Sequence, residues 1–270
     1  EVLSCEELWH DYSLSAVVRK RQKTDLSSFE SSRIKLREQI NDYISQFPDK
    51  SVAIWGAGHQ ALAVMALTEL ESKIAYVVDS ALFKQGKYEL GMKYIDKAVK
   101  YKRQRYQGYR AFIKCIFAKT YREAIIDFED CKLRYGNNYE MDHTYNFYIA
   151  LSHLQLNEFK TAENIFKEDI ENLQNKKGLD WVHHLDLFYY GVAKYELKKY
   201  KEAITIFEMA LKKYPEFSDV QYYYAICLAR TDNREKALEQ MAQAKLNAKS
   251  GFTINEDNVI YEKYPYQIRW

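Results

Sequence analysis

The sequence predicts a mainly α-helical protein, a solenoid of helical hairpins preceded by a short α/β segment. Three observations carry this expectation. A single pattern of small and aromatic residues recurs along residues 81–250. Proline and glycine are scarce, 3 and 9 in 270 residues, which fits long helices joined by short connections. Near the start, a glycine-bearing turn separates two short apolar runs, the pattern of a strand, turn, helix and strand. The expected layout is an α/β segment over 1–80, an array over 81–250 and a capping tail over 251–270.

In the first segment, Leu36, Ile40, Tyr43, Ile44 and Phe47 recur at helical spacing and predict an amphipathic helix ending before Pro48. Residues 51–55, SVAIW, read as a buried strand. A turn and helix follow in GAGHQALAVMALTELES. Residues 73–80, KIAYVVDS, read as a second strand ending in Asp79. Gly56, Gly58 and Ala61 fit the G-x-G-x-x-G/A spacing, and Asp79 follows Gly58 by 21 positions. In a dinucleotide site the glycines let the backbone approach a pyrophosphate, the helix N-terminus attracts its charge, and the acid takes a ribose hydroxyl. A sharp strand-to-helix turn without a ligand explains the same residues. His59 reads as a turn residue.

The pieces VAIWGAGHQALA and IAYVVDSALFKQGKY, with the helix before them, resemble the C-terminal domain of sugar C-methyltransferases over about residues 1–88. The resemblance implies a partial Rossmann-like fold and a place beside a nucleotide-sugar. The chain departs from that family in having no cysteine cluster for zinc and no second glycine loop for S-adenosylmethionine. After FKQGKY it continues as ELGMKYIDKAVKYKRQRY, which is helical and repeat-like. Methyl-transfer machinery is therefore not expected here.

Within residues 188–215, FYYGVAKYELKKYKEAITIFEMALKKYP, the order Gly191, Tyr200, Ala203, Phe207, Ala210 and Pro215 resembles a tetratricopeptide repeat. The same frame places Ala225, Ala237, Met241 and Ala244 in one further copy, and Ala150, Phe159, Ala162 and Phe166 in another. Tyr121, Ala124, Phe128 and Cys131 mark another, and Gly86, Tyr88, Gly91, Ile95 and Ala98 the first. The anchors Gly91, Ala124, Ala162, Ala203 and Ala237 are 33, 38, 41 and 34 residues apart, close to the family period of about 34. The two longer gaps predict extended helices or loops, one of them around residues 172–184. Small residues mark close helix crossings, and stacking supplies the core that one hairpin lacks. The first copy has a good second helix, but its first-helix position holds IAYVVDS, which reads as strand.

Such arrays bind through the face lined by the first helix of each hairpin. Counting from the anchors gives one aromatic column, Tyr109, Phe147, Phe188 and Tyr222, flanked by Tyr106, Ile113, Leu151, Tyr195 and Arg230. An aromatic groove suits a peptide or helix of a protein partner, while local packing accounts for the same aromatics equally well. Lys and Asn are missing from the groove positions, so the resemblance does not extend to clamps for a C-terminal carboxylate.

Other function classes find little support. The net charge of +2, from 40 basic and 38 acidic residues, gives no electrostatic case for nucleic acid or anionic membrane. The run YKRQRY reads as a solvated helix face. No apolar run reaches membrane-spanning length, and the first residues lack a signal-peptide layout. The sequence also does not begin with Met, so its natural N-terminus is expected to be missing. Cys5, Cys115, Cys131 and Cys227 form no CxxC pair and read as reduced thiols, which makes a cytoplasmic location the default. His183 and His184 are adjacent, a spacing that does not let both face one ion from a helix, and they read as a solvated or interface pair. No metal and no cofactor are expected.

These readings converge on a non-catalytic protein-binding scaffold. The alternative is a nucleotide- or nucleotide-sugar-binding remnant of a methyltransferase fused to a recruitment module. A further reading joins fragments of two genes. The tail residues Ile260, Tyr261, Tyr264, Tyr266, Ile268 and Trp270 are expected to fold back on the last helix pair and cover it.

Overall fold

The computed structural model describes residues 2–8, 13–18, 27–48, 51–55, 59–70, 73–78, 86, 88–256, 258–259 and 261–270. It divides into two units, Glu1–Asp79 and Ser80–Trp270.

The first unit holds an antiparallel pair, β1 (Val2–Leu8) and β2 (Ser13–Val18), which the periodicity did not reveal. Helix α1 (Ser27–Ile44) ends ahead of Pro48. Strands β3 (Val52–Trp55) and β4 (Ile74–Val78) pair in parallel, joined through helix α2 (His59–Thr68). One such crossover unit does not by itself make a nucleotide-binding fold. Its described core is small. Ile44, Leu70 and Ile74 are buried, with Ile40, Val52 and Ile54 partly covered beside them. Two strands shield little of a helix. Leu36, Tyr43 and Phe47, which the helical spacing turns inward, are in fact exposed. A hollow of about 500 Å³ between Leu36, Ile40, Tyr43, Val52 and Val64 remains open.

The second unit is the array. Helix α3 (Tyr88–Tyr101) precedes four hairpins: α4 (Arg103–Ile116) with α5 (Tyr121–Tyr135), α6 (Tyr145–Gln155) with α7 (Phe159–Lys177), α8 (His184–Glu196) with α9 (Tyr200–Lys213), and α10 (Ser218–Arg230) with α11 (Arg234–Lys249). Successive helices pack on one another throughout. The hairpin turns share one backbone feature. Lys119, Asn157, Lys198 and Asp232 have φ of 56°, 61°, 59° and 62°, each two residues before the second helix. Gly86, φ 72°, stands in the same relation to α3. The GKY turn is therefore a repeat turn, and α3 is the second helix of an incomplete first copy. The segment where its first helix belongs contains β4 instead.

Two insertions account for the longer spacings. A short hairpin, β5 (Tyr139–Glu140) and β6 (His143–Thr144), enters between α5 and α6. Helix α7 extends to 19 residues and a 3-10 turn, Leu179–Trp181, follows it.

The anchors sit where packing is tightest. Ala124, Ala162 and Ala203 are fully buried, as are Phe128 and Phe207. A Cβ on Gly191 would run into the Phe207 ring, so only glycine permits the α8–α9 crossing at this distance. Cys115, Cys131 and Cys227 are buried and free, and burial pushes each thiol up to about 12. Among the described residues, no helix is long and apolar enough to cross a membrane.

Candidate functional site

The inner face of the array is lined by α4, α6, α8 and α10, and the C-terminal tail lies along it. The tail leaves α11 with the Phe252 carbonyl accepting from the Ser218 N–H at 2.9 Å. Ile254 N–H donates to Asp219 Oδ2 at 3.2 Å. Asn255 meets His184 at 3.2 Å, and Glu256 approaches His143. Glu262 then reaches the far end, accepting from Tyr88 Oη and Lys119 Nζ, both at 2.6 Å. On the return leg the Tyr189 hydroxyl donates to the Pro265 carbonyl at 3.0 Å and Tyr223 to that of Tyr266 at 3.3 Å. Ile268 N–H donates to Asp219 Oδ1 at 2.7 Å, and Trp270 packs edge-on against Tyr222. Asp219 thus ties both legs together. Burial raises its carboxyl to about 6, against the lowering effect of these two N–H donors.

The tail folds back on α10 of the last helix pair, as expected, through Ser218, Asp219, Tyr222 and Tyr223. It also runs out to α3 and returns, and it leaves the outer side of α11 bare, with Ile260 outside the described residues. Leu238 and Leu246 on α11 stay 73% and 58% exposed. The reason is chemical complementarity. The inner face offers tyrosine hydroxyls and a buried carboxylate that satisfy tail backbone groups, whereas the hollow beside α11 is lined by Ile226, Ala229, Ala237, Leu238 and Met241 with Arg234.

The expected groove residues separate into two groups. Ile113, Phe147, Leu151 and Phe188 are between 0% and 1% exposed and pack inside the array. Phe147 meets Tyr148, Phe166 and Tyr189 edge-on, and Phe188 packs against Phe217 and Tyr223. For Phe147 and Phe188, packing against neighbouring helices is what the structure displays. Tyr106, Tyr109, Tyr195 and Tyr222 are half-buried, and Arg230 is exposed. The hydroxyls that hold the tail backbone belong to the next residue of the frame in two copies, Tyr189 and Tyr223. A count from the anchors lands one position short of them, although the paired tyrosines of FYYG and QYYY mark the place. Gly56, Gly58 and Asp79 lie outside the described residues.

A second cluster joins array and tail. His143 precedes α6, where the Thr144 side chain caps the helix. His183 caps α8, its Nδ1 accepting weakly from Leu185 N–H at 3.3 Å, while Asp186 accepts from the His183 N–H. These two helix starts bring the rings to 5.0 Å, and the tail delivers Glu256. Ligand atoms of His143, His183 and Glu256 all lie within 4.8 Å of one another. His143 is 2% exposed, stacks on Phe147 at 3.7 Å and shares its Nδ1 proton with Asp186 at 2.9 Å. Burial opposes charge on this ring, but Asp186 and Glu256 outweigh it and hold His143 up to about 9. Burial and the neighbouring His143 pull His183 down, and burial with His183 pulls His184 to about 4. Of the two expected readings, a solvated or an interface pair, the half-buried pair fits the second, with His184 against Asn255 of the tail and the His183 ring 5.0 Å from that of His143, forty positions earlier.

Residues 194–250 match a family model described as tetratricopeptide repeat. No curated protein matches the sequence. Among solved structures, a crystal structure of MamA aligns with a TM-score of 0.52 at 12% identity, covering 63% of this chain and 94% of that one. MamA from Desulfovibrio magneticus RS-1 (41-end) aligns with a TM-score of 0.53 at 12% identity, covering 63% and 91%. At this identity the likeness concerns the fold. These findings support the repeat reading and lend nothing to the methyltransferase resemblance of residues 1–88.

Proposed function

We propose that this tetratricopeptide-repeat array is a non-catalytic interaction scaffold, cytoplasmic in location, whose inner face holds an extended segment of polypeptide. Its own C-terminal tail is the resident occupant, and a protein partner competes for the same place. The observation that carries this reading is the kind of contact made. Tyr189, Tyr223 and Asp219 bind tail backbone atoms rather than side chains. Backbone recognition transfers to any extended segment of suitable shape, with side-chain pockets adding selectivity. Tyr106, Tyr109, Tyr195, Tyr222 and Arg230 are the groove residues left accessible enough to supply it.

The test uses a labelled peptide of residues 251–270. A chain ending at Ser250, checked for retained helix by circular dichroism, binds this peptide in trans, and the full chain does not. Equal failure of both chains to bind sinks the proposal. Binding lost in Asp219→Ala supports the assigned contacts.

The nucleotide-sugar reading of the first unit draws support from the parallel β3–α2–β4 arrangement alone. Calorimetric titration with nucleotide-sugars and NAD decides it. Tight binding abolished by Gly58→Trp establishes an active loop, and absence of binding leaves Gly56, Gly58 and Asp79 as a turn.

A further inference from the structure

We infer that His143, His183 and Glu256 form a site for one divalent transition-metal ion of the zinc class, which fastens the tail to the array. The inference rests on the tail lying along the inner face, not on any partner entering it.

The first ground is an unsatisfied nitrogen. His143 is almost fully buried, and its Nε2 has no hydrogen-bond partner. The nearest acceptor, Glu256 Oε1, is 3.5 Å away, beyond the roughly 2.7–2.9 Å of a charge-assisted hydrogen bond. With Nδ1 protonated toward Asp186, neutral His143 points a lone pair at a carboxylate. Something positive must lie between them. A proton on Nε2 joins two of the three groups. A metal ion joins all three.

The second ground is the donor set. Two imidazoles and a carboxylate are a recognised zinc combination, leaving a fourth tetrahedral position for water. Bond lengths of about 2.0–2.2 Å require donor atoms somewhat closer than the 4.8 Å spread seen here. His143 Nε2 and Glu256 Oε1 are already at 3.5 Å, so the closure is required of the His183 ring and the glutamate together. Asp186 behind His143 has the role that carboxylates take behind metal-bound histidines, fixing the tautomer and ring orientation.

The third ground is charge. The starts of α6 and α8 carry partial positive charge that opposes a cation. The full charges of Glu256 and Asp186 offset a divalent ion and exceed that opposition. His183 must give up its long 3.3 Å contact with Leu185 N–H to free a lone pair, a small loss beside a metal bond.

The experiment uses the full chain without a histidine tag, stripped of metal and titrated with zinc against a chromophoric chelator. One equivalent binds, and cobalt in its place gives the visible absorption of a tetrahedral site. Zinc also slows proteolysis at Lys263 in the tail. His183→Asn preserves a good helix cap while removing the ligand, and Glu256→Gln leaves the tail sequence otherwise intact. Each lowers zinc affinity at least tenfold. If the parent chain binds no zinc, or both variants bind as it does, the site is a protonated His143 between two carboxylates and the proposal is overturned.

Discussion

The two units of this chain bury apolar side chains in different ways, and the contrast explains why one has a closed core and the other an open one. In the array every helix pair is too thin to shield itself, but each has neighbours that finish the task. Phe128, Phe166 and Phe207 are buried to within 1% in three successive copies. In the first unit, the parallel pair β3–β4 has no third strand among the described residues, and Leu36, Tyr43 and Phe47 remain exposed around a hollow. Similar apolar spacing in the sequence therefore led to different burial, because burial depends on the number of elements that arrive from elsewhere.

Separating the units tests this contrast most severely. Residues 80–270 alone retain a cooperative thermal transition followed by circular dichroism, and residues 1–79 alone show none. A cooperative melt of the shorter piece breaks the comparison.

Single core truncations sharpen it. Phe207→Ala costs about 3–5 kcal/mol, measured by urea unfolding, since its ring fills the crossing at Gly191. Ile40→Ala, on the wall of the open hollow, costs roughly 1 kcal/mol or less.

A smaller effect concerns charge inside the array. Glu163 is buried among Lys160, Lys194 and Lys199 at 2.7–3.0 Å. Burial alone would raise its carboxyl, but the three ammonium groups outweigh it and hold it at about 2. The stability this gives is full above the ordinary carboxylate value of 4.5 and is lost as pH falls toward 2. Glu163→Gln removes the carboxylate shared by three ammonium groups and leaves Lys194 with Glu202 at 2.6 Å as its remaining partner, costing about 2 kcal/mol at neutral pH. It also flattens the acid limb of a stability-against-pH curve.

The smallest effect is at the far turn of the tail. Lys119→Ala removes an ion pair to Glu262 whose lysine is 46% exposed, worth about 0.5 kcal/mol. It shows as modestly faster proteolysis of the tail with no change in array melting.

Much of the array was legible beforehand. The anchor alanines, Gly191 and the buried cysteines all follow from local spacing, because a helical hairpin sets which residues face its partner within some thirty positions. The incomplete first copy was legible too, since IAYVVDS has strand character and Gly86 suits a turn of positive φ. The candidate site was much less so. The anchors gave a column of aromatics in which Phe147 and Phe188 are buried and Tyr109 and Tyr222 half-buried, and nothing in the spacing of a single helix distinguishes a residue covered by a neighbouring helix from one that meets a bound segment.

What the sequence by itself determined is therefore local: helix register, the hairpin turns and the small residues at helix crossings. Tertiary structure alone decided the route of the tail and the meeting of His143, His183 and Glu256. Those residues belong to a hairpin insertion, a helix cap and a terminal segment, and no periodicity links them. Stacking brings the two helix starts together, and the tyrosine hydroxyls and Asp219 then guide the tail backbone past them. Contacts of that kind depend on the relative placement of finished elements, which no local sequence pattern records.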